Sequence, residues 1–240
     1  SEEELFALNE IAAGIGKRMR SGLPKVLHPL GGRPLLAHVI DTSRKLGADR
    51  ICVVYGHGGD QVRARFPDPD LRWALQDPPL GTGHALAQAL PQFGADGVTL
   101  VLFGADPLAR AETLERVVQH ARQGALSLLT IELDDPTGYG RIARDAQGAV
   151  VAIVEHRDAS AKERAIREIN TGVMAAPAAL MRQWVSALKP DNAQGEYYIT
   201  DIIAMACGQN VPVVVLSSEE IAAITDGDEI VIAGDRVRRA

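Results

Sequence analysis

Two kinds of hydrophobic run alternate along the first half of this chain. Arg50 to Tyr55 (Arg-Ile-Cys-Val-Val-Tyr), Leu71 to Gln76, Val98 to Phe103 and Leu126 to Leu133 are short apolar stretches. Runs of this length, apolar on both sides of the pleat, predict strands buried on both faces. Between them, Leu35 to Leu46 repeats its apolar residues at helical spacing and stops at Gly47. Gln61 to Phe66 can start a helix, His84 to Leu90 is an alanine-rich helix opened by Gly81-Thr82-Gly83, and Ala111 to Gly124 is another. Strands separated by helices predict a mostly parallel sheet covered on both faces. Ligands of such sheets bind beyond the carboxyl ends of the strands, where Gly14, Gly56, Gln76 and Gly104 fall.

The second half is less regular. Arg141 to Ile153 has hairpin character around Gln147-Gly148, and Ala159 to Arg167 is a helix or a loop. Ile169 to Met174 reads as a strand, Ala178 to Leu188 and Glu196 to Cys207 as helices, and Val211 to Leu216 as a strand with Pro212 near its start. One place resists the pattern. An apolar strand is expected just before Gly14, yet the chain reads Ala7-Leu8-Asn9-Glu10-Ile11 there. Two polar residues, one charged, would be costly in a central strand.

Candidate chemistry begins in the same region. Ile11-Ala12-Ala13-Gly14-Ile15-Gly16-Lys17-Arg18-Met19 joins glycines to a cluster of cations, Lys17, Arg18, Arg20 and Lys25. Glycine permits the close backbone approach that a phosphate demands, and the cations hold its charge. The stretch is neither the Walker pattern nor Gly-x-Gly-x-x-Gly, so a solvated glycine-rich turn stays open beside a nucleotide-binding loop.

Composition narrows the classes. The formal net charge is -6 and aromatics are 4% of residues, both against a general nucleic-acid binder or a base-stacking platform. A free nucleotide needs only a local cluster of cations. The two cysteines, Cys52 and Cys207, read as buried thiols of a reducing compartment, and no Cys/His spacing suggests zinc. The acidic start (Glu2, Glu3, Glu4) is wrong for a signal peptide and no apolar run approaches about 18 residues, so a cytoplasmic protein without a membrane span is expected.

Longer motifs then point one way. They are Leu23-Pro24-Lys25-Val26-Leu27, Tyr55-Gly56-His57-Gly58-Gly59-Asp60, Leu80-Gly81-Thr82-Gly83-His84-Ala85, Asp134-Asp135-Pro136-Thr137-Gly138-Tyr139-Gly140-Arg141-Ile142, Ile153-Val154-Glu155-His156-Arg157-Asp158, Glu168-Ile169-Asn170-Thr171-Gly172 and Asn192 to Asp201. Across roughly residues 11 to 233 the chain resembles the uridylyltransferase half of the bacterial bifunctional GlmU family. The resemblance implies a Rossmann-like nucleotide-diphospho-sugar transferase fold of class α/β, with a mixed, mostly parallel sheet. It implies a transferase domain over 1–228, with a nucleotide lobe to about 133, a sugar lobe over about 134–228 and the start of a linker over 229–240. The family's left-handed β-helix acetyltransferase half is expected to be absent.

The implied activity is transfer of UMP from UTP to N-acetylglucosamine 1-phosphate, giving UDP-N-acetylglucosamine and pyrophosphate for peptidoglycan and lipopolysaccharide synthesis. Mg2+ is the implied cofactor. No nucleic acid or membrane partner is expected. The family trimerises largely through its β-helix half, so a trimer is expected only with that half present and otherwise a monomer. By the same resemblance Arg18 and Lys25 are catalytic, holding the triphosphate and offsetting charge. Ile11, Ala12, Ala13, Gly14, Lys25, Gln76, Gly81, Thr82, Phe103, Gly104 and Ala105 line the nucleotide. Gln76 offers a donor and an acceptor suited to a uracil edge. Gly140, Glu155 and Asn170 take the sugar. Tyr197, Tyr198 and Thr200 either pack behind the sugar pocket or touch the sugar. His84 caps or packs its helix.

The chain departs from the family at the metal. Where the family has a Mg2+-binding aspartate, this chain reads Gly104-Ala105-Asp106-Pro107-Leu108, and Ala105 cannot coordinate an ion. Asp106 is one residue late. Asp228, in Asp226-Gly227-Asp228-Glu229, stands at the position of the family's second ligand, where a carboxylate is an acceptable Mg2+ donor. Asp106 and Asp228 are therefore the candidate ligands. An impaired sugar-nucleotide binding domain, and a transferase of the same fold using another base or sugar, are the competing expectations.

Overall fold

The structure is a computed structural model in which residues 3–8, 23–56, 59–104 and 109–217 are described. In chain order the first elements are β1 (Glu3–Leu8), β2 (Pro29–Leu30), β3 (Arg33–Pro34), α1 (Leu35–Lys45), β4 (Arg50–Tyr55), α2 (Asp60–Arg65) and β5 (Leu71–Leu75). Then come α3 (Thr82–Ala89), β6 (Val98–Phe103), α4 (Ala111–Arg122), β7 (Leu126–Glu132), β8 (Arg141–Arg144) and β9 (Val150–Val154). The chain continues through α5 (Ala161–Arg164), β10 (Glu168–Pro177), α6 (Ala178–Ala187), α7 (Ile202–Gly208) and β11 (Val213–Ser217).

The main sheet runs β11-β7-β10-β6-β1-β4-β5, with β8 and β9 attached beside β10. β1 lies parallel between β4 and β6, β5 is parallel to β4, and β11 is parallel to β7. β10 runs antiparallel between β6 and β7. Residues past 134 thus supply β10 and β11 to the same sheet as the first half.

Period-two alternation explains the layers. Cys52 and Val54 of β4 and Val101 of β6 face α3, α6 and α7 in one apolar cluster. Their neighbours turn the other way: Leu100 and Leu102 pack with α4, and Ile51 and Val53 with α1 and Val62 of α2. Helices therefore cover both faces. Each fully buried leucine or valine here contributes about 1.5–3 kcal/mol relative to exposure. Among the described residues no helix is long and apolar enough to cross a membrane. Cys52 is buried, its thiol pushed up to about 12 by desolvation, and neither cysteine is in a disulfide.

Two expectations are corrected. The first strand is Glu3–Leu8, not the segment containing Asn9 and Glu10. Leu5 pairs with Ile51 and Leu100, and Leu8 with Val54 and Phe103. The apolar run Leu5–Leu8 thereby takes the central place and the polar pair follows its end; Asn9 and Glu10 lie outside the described residues. The second is the helix over Glu196 to Cys207. Only Ile202–Gly208 is α-helical, after a 3-10 turn at Ile199–Asp201. The backbone of residues 197–199 is bonded to the turn at residues 80–83 instead.

Candidate nucleotide-sugar site

Gly56, Gln76 and Gly104 directly follow the carboxyl ends of the parallel strands β4, β5 and β6, so they share one edge of the sheet. The Gln76 backbone N–H donates to the Tyr55 carbonyl (2.8 Å), which holds it beside β4. Its side chain is buried, at 3% exposure. Nε2 of Gln76 donates to the Gly81 carbonyl at 3.0 Å and stands 3.1 Å from Nδ1 of His84.

Gly81 opens α3 with φ 104° and ψ 174°, a conformation that only glycine adopts freely. This turn docks onto a segment more than a hundred residues later. The Tyr197 N–H donates to the Leu80 carbonyl (2.8 Å), the Gly83 N–H to the Tyr197 carbonyl (2.7 Å) and the Ile199 N–H to Oγ1 of Thr82 (3.0 Å). A Cβ on Gly83 would sit 2.3 Å from Cδ1 of Leu188 and 3.0 Å from the Tyr197 carbonyl, so the approach leaves no room for a side chain. These bonds satisfy the backbone groups of 197–199 in place of a helix.

The docked segment then leads to Glu155. Thr200 is buried, and its hydroxyl donates to Oε1 of Glu155 at 2.9 Å. A Cβ on Gly140 would lie 3.3 Å from that Oε1 and 2.8 Å from Cγ2 of Ile153, so Gly140 is pressed against the carboxylate. The Asn170 N–H donates to the Gly140 carbonyl (2.9 Å), and Oδ1 of Asn170 accepts from the Gly172 N–H (3.0 Å). Gly172 has φ 87° and lies under the Phe103 ring, at the end of β6. Gly140, Glu155, Asn170 and Phe103 thus form one continuous wall, and residues 197–200 join it to Gln76, Gly81 and Thr82.

Tyr198 is buried and its hydroxyl accepts from Nε2 of Gln194 (2.6 Å), so it packs behind the wall. Thr200 acts as a positioning residue through Glu155. The sequence carried one signal for this, the Glu196-Tyr197-Tyr198-Ile199-Thr200 motif, but not its partner. Replacing Thr200 with valine removes one hydrogen bond to a carboxylate, an effect of about 1.5 kcal/mol. Affinity for a sugar phosphate is expected to fall about tenfold with nucleotide affinity unchanged, and Thr200→Ser to recover it. Equal sugar-phosphate affinity by calorimetry in Thr200→Val and the parent chain would contradict this role.

A second buried residue was not singled out from sequence. Arg141 is 1% exposed, and desolvation lowers its pKa while Asp135 and Glu155 favour its charge. Its guanidinium donates to the carbonyls of Ile166 (3.1 Å), Arg164 (3.4 Å) and Tyr139, and stands 3.2 Å from Nδ1 of His156. It ties the turn carrying Tyr139 and Gly140 to the segment at 164–166 that leads into β10.

Lys25 lies exposed in the 3-10 turn Lys25–Leu27, its side chain without a hydrogen bond or ion pair among the described residues. Arg18, Ile11, Ala12, Ala13, Gly14, Ala105, Asp106 and Asp228 lie outside the described residues. Among the described residues no group of three or more His, Cys, Asp or Glu could hold a metal ion. The described donor set alone therefore does not make a Mg2+ site. An open hollow of about 510 Å³ beside β11, lined by Arg144, Glu168 and Ser217 as well as Val150, Val213 and Val215, is a separate feature of mixed polarity.

A sheet edge bearing a glycine turn, a buried carboxamide and a wall of polar groups defines a ligand-binding edge of an α/β domain. The chain belongs to the MobA-like NTP transferase domain family, whose model matches residues 11–193. It is 56% identical over 212 residues to the bifunctional protein GlmU of Azoarcus sp. (strain BH72), covering 88% of this chain and 47% of that protein. It is 57% identical over 203 residues to the bifunctional protein GlmU of Dechloromonas aromatica (strain RCB), covering 85% of this chain and 45% of that protein. The chain spans about half the length of the curated relatives it matches. A crystal structure of a Bacillus anthracis protein provisionally assigned as a glucose-1-phosphate thymidylyltransferase superposes with a TM-score of 0.69 over 91% of this chain and 87% of that one. At 20% identity that likeness shows the fold alone.

Proposed function

We propose that the chain transfers UMP from UTP to N-acetylglucosamine 1-phosphate, releasing pyrophosphate and forming UDP-N-acetylglucosamine. One observation carries this reading: residues 197–200 couple the turn at Gly81 and Thr82 to the Glu155 carboxylate beside Gly140 and Asn170. A base pocket and a sugar pocket joined at one sheet edge suit a substrate that has both. The relatives at 56–57% identity support the same assignment.

In this reading Gln76, Gly81 and Thr82 take the base, and Ile11 to Gly14 with Phe103 and Gly104 bring backbone to the nucleotide. Glu155, Asn170 and the Gly140 N–H take sugar hydroxyls and the N-acetyl group. Arg18 and Lys25 hold the phosphates, whose transfer depends on position and charge neutralisation more than on covalent help from the protein. Mg2+ would supply further charge neutralisation, with Asp228 and Asp106 as the candidate donors in this chain. The nucleotide lobe extends to about residue 133 and the sugar lobe from there to about 228. The product would serve cell-wall precursor synthesis in the cytoplasm, and a trimer would require the β-helix half of the relatives.

Ala105 favours a second reading, a sugar-nucleotide binding domain with weakened catalysis. The test is pyrophosphate release from N-acetylglucosamine 1-phosphate and UTP, CTP, GTP or dTTP, with and without Mg2+, beside calorimetric binding of UDP-N-acetylglucosamine. Mg2+-dependent release with UTP is the expected result. Binding without release, together with release by Ala105→Asp, selects the second reading. Release with another nucleotide alone, or neither binding nor release, overturns both.

A further inference from the structure

The surroundings of Gln76 fix which atom of its side chain a ligand can meet. Nε2 lies 3.0 Å from the Gly81 carbonyl oxygen, which can only accept, so the carboxamide nitrogen and not its oxygen occupies that side. The same nitrogen lies 3.1 Å from Nδ1 of His84. A carboxamide nitrogen has two protons and no acceptor capacity, so Nδ1 accepts the second, and the ring proton sits on Nε2 of His84. Nε2 of the half-buried Gln88 stands 3.2 Å from that ring nitrogen and 3.2 Å from the His84 carbonyl. A protonated ring Nε2 requires the Gln88 carboxamide to turn its oxygen to the ring and give up the bond to that carbonyl. Tyr197 backs the imidazole with ring centroids 6.3 Å apart. Desolvation lowers the His84 pKa, which favours the neutral ring that this arrangement needs.

We propose that His84, acting through Gln76, selects the nucleobase. Both N–H groups of Gln76 are engaged by Gly81 and His84, and among the described residues Oε1 has no partner. Gln76 therefore offers an acceptor. An acceptor oxygen in a buried site retains a pyrimidine that presents a ring N–H, as uracil and thymine do, and rejects cytosine, which presents a bare ring nitrogen and would leave both acceptors unpaired. Rotating the carboxamide to serve cytosine would set Oε1 against the Gly81 carbonyl and strand an N–H. His84 is thus a positioning residue for base choice. The inference rests on the reading of this edge as a nucleotide site.

The experiment is calorimetric binding of UDP and CDP to the full chain, which needs no turnover. His84→Phe keeps an aromatic ring beside Tyr197 but removes the acceptor. His84→Asn keeps an oxygen that can be placed near the Nδ1 position. The parent chain is expected to prefer UDP over CDP by at least about 100-fold. His84→Phe is expected to lower that ratio about tenfold, and His84→Asn to restore most of it. A ratio unchanged in a folded His84→Phe, or a His84→Asn ratio as low as that of His84→Phe, overturns the role of His84 and leaves the proposed function standing. A preference of the parent chain for CDP overturns the acceptor argument whatever the variants do. Binding of neither nucleotide overturns the nucleotide-site reading itself.

Discussion

Gly81→Ala is expected to destroy the part of the candidate site around Gln76. The backbone there has φ 104° and ψ 174°, a region that costs a residue with a Cβ of the order of 1–3 kcal/mol before any clash is counted. The added Cβ would then lie 2.6 Å from the Tyr197 carbonyl oxygen and 2.9 Å from both the Tyr197 nitrogen and Cβ of Glu196. Two of these obstacles are backbone, so no side-chain rotation relieves them. The turn at 80–83 and the segment at 196–199 must separate, which breaks the bonds from Tyr197 to Leu80, Gly83 to Tyr197 and Ile199 to Thr82. Separation also removes the carbonyl that orients Gln76. The expected loss is about 3 kcal/mol or more of stability. Nucleotide affinity should fall at least about 100-fold, as expected when several hydrogen bonds that shape the pocket break at once. Gly148→Ala is the control. Gly148 also has positive φ, 85°, but nothing within 4 Å of an added Cβ, so it should show the strain alone and keep full nucleotide affinity. If denaturant midpoints and calorimetric affinities of the two variants match, the docking of the two motifs does not hold the pocket.

Arg141→Met is expected to lower stability by about 3 kcal/mol or more. The guanidinium is buried and meets the Tyr139, Ile166 and Arg164 carbonyls and the His156 ring. Methionine fills much of the same volume but removes every donor of a side chain that is itself 1% exposed, and each hydrogen bond lost costs about 0.5–1.5 kcal/mol. Lysine should not rescue, because a single ammonium cannot span acceptors that a planar fork reaches from several sides. The same change should weaken binding of UDP-N-acetylglucosamine more than binding of UDP, since Arg141 holds the Gly140 turn beside Glu155. A denaturant midpoint equivalent to less than about 1 kcal/mol of loss would show that the four acceptors find other partners.

The periodicity of the chain was enough for most of the sheet. Arg50–Tyr55 and Val98–Phe103 lie where their apolar runs put them, because a strand buried on both faces needs no information beyond its own residues. Gln76 and Gly104 fall at strand ends for the same reason. The hairpin around Gly148 and the strand after Pro212 follow from turn chemistry and from proline's missing donor. The grouping of Gly140, Glu155 and Asn170 came from motif resemblance, and the structure brings all three together.

Local pattern could not decide where backbone groups find partners far away in the chain. Glu196 to Ile199 has helical spacing, yet the backbone of 197–199 bonds to residues 80–83, and a helix there would leave the Gly81 turn unsupported. The first strand was displaced for a similar reason: the pairing of Leu5–Leu8 with β4 and β6 outweighed the expectation set by Gly14. The alternation of strands and helices and the two covered faces were legible in the bare chain, because they depend on side-chain polarity at fixed spacing. That Thr200 orients Glu155, that Arg141 is a buried tie, and that Gln76 has its nitrogen engaged by Gly81 and His84 emerged with the folded chain alone, because each depends on a hydrogen-bond partner brought near by the assembly of the whole sheet.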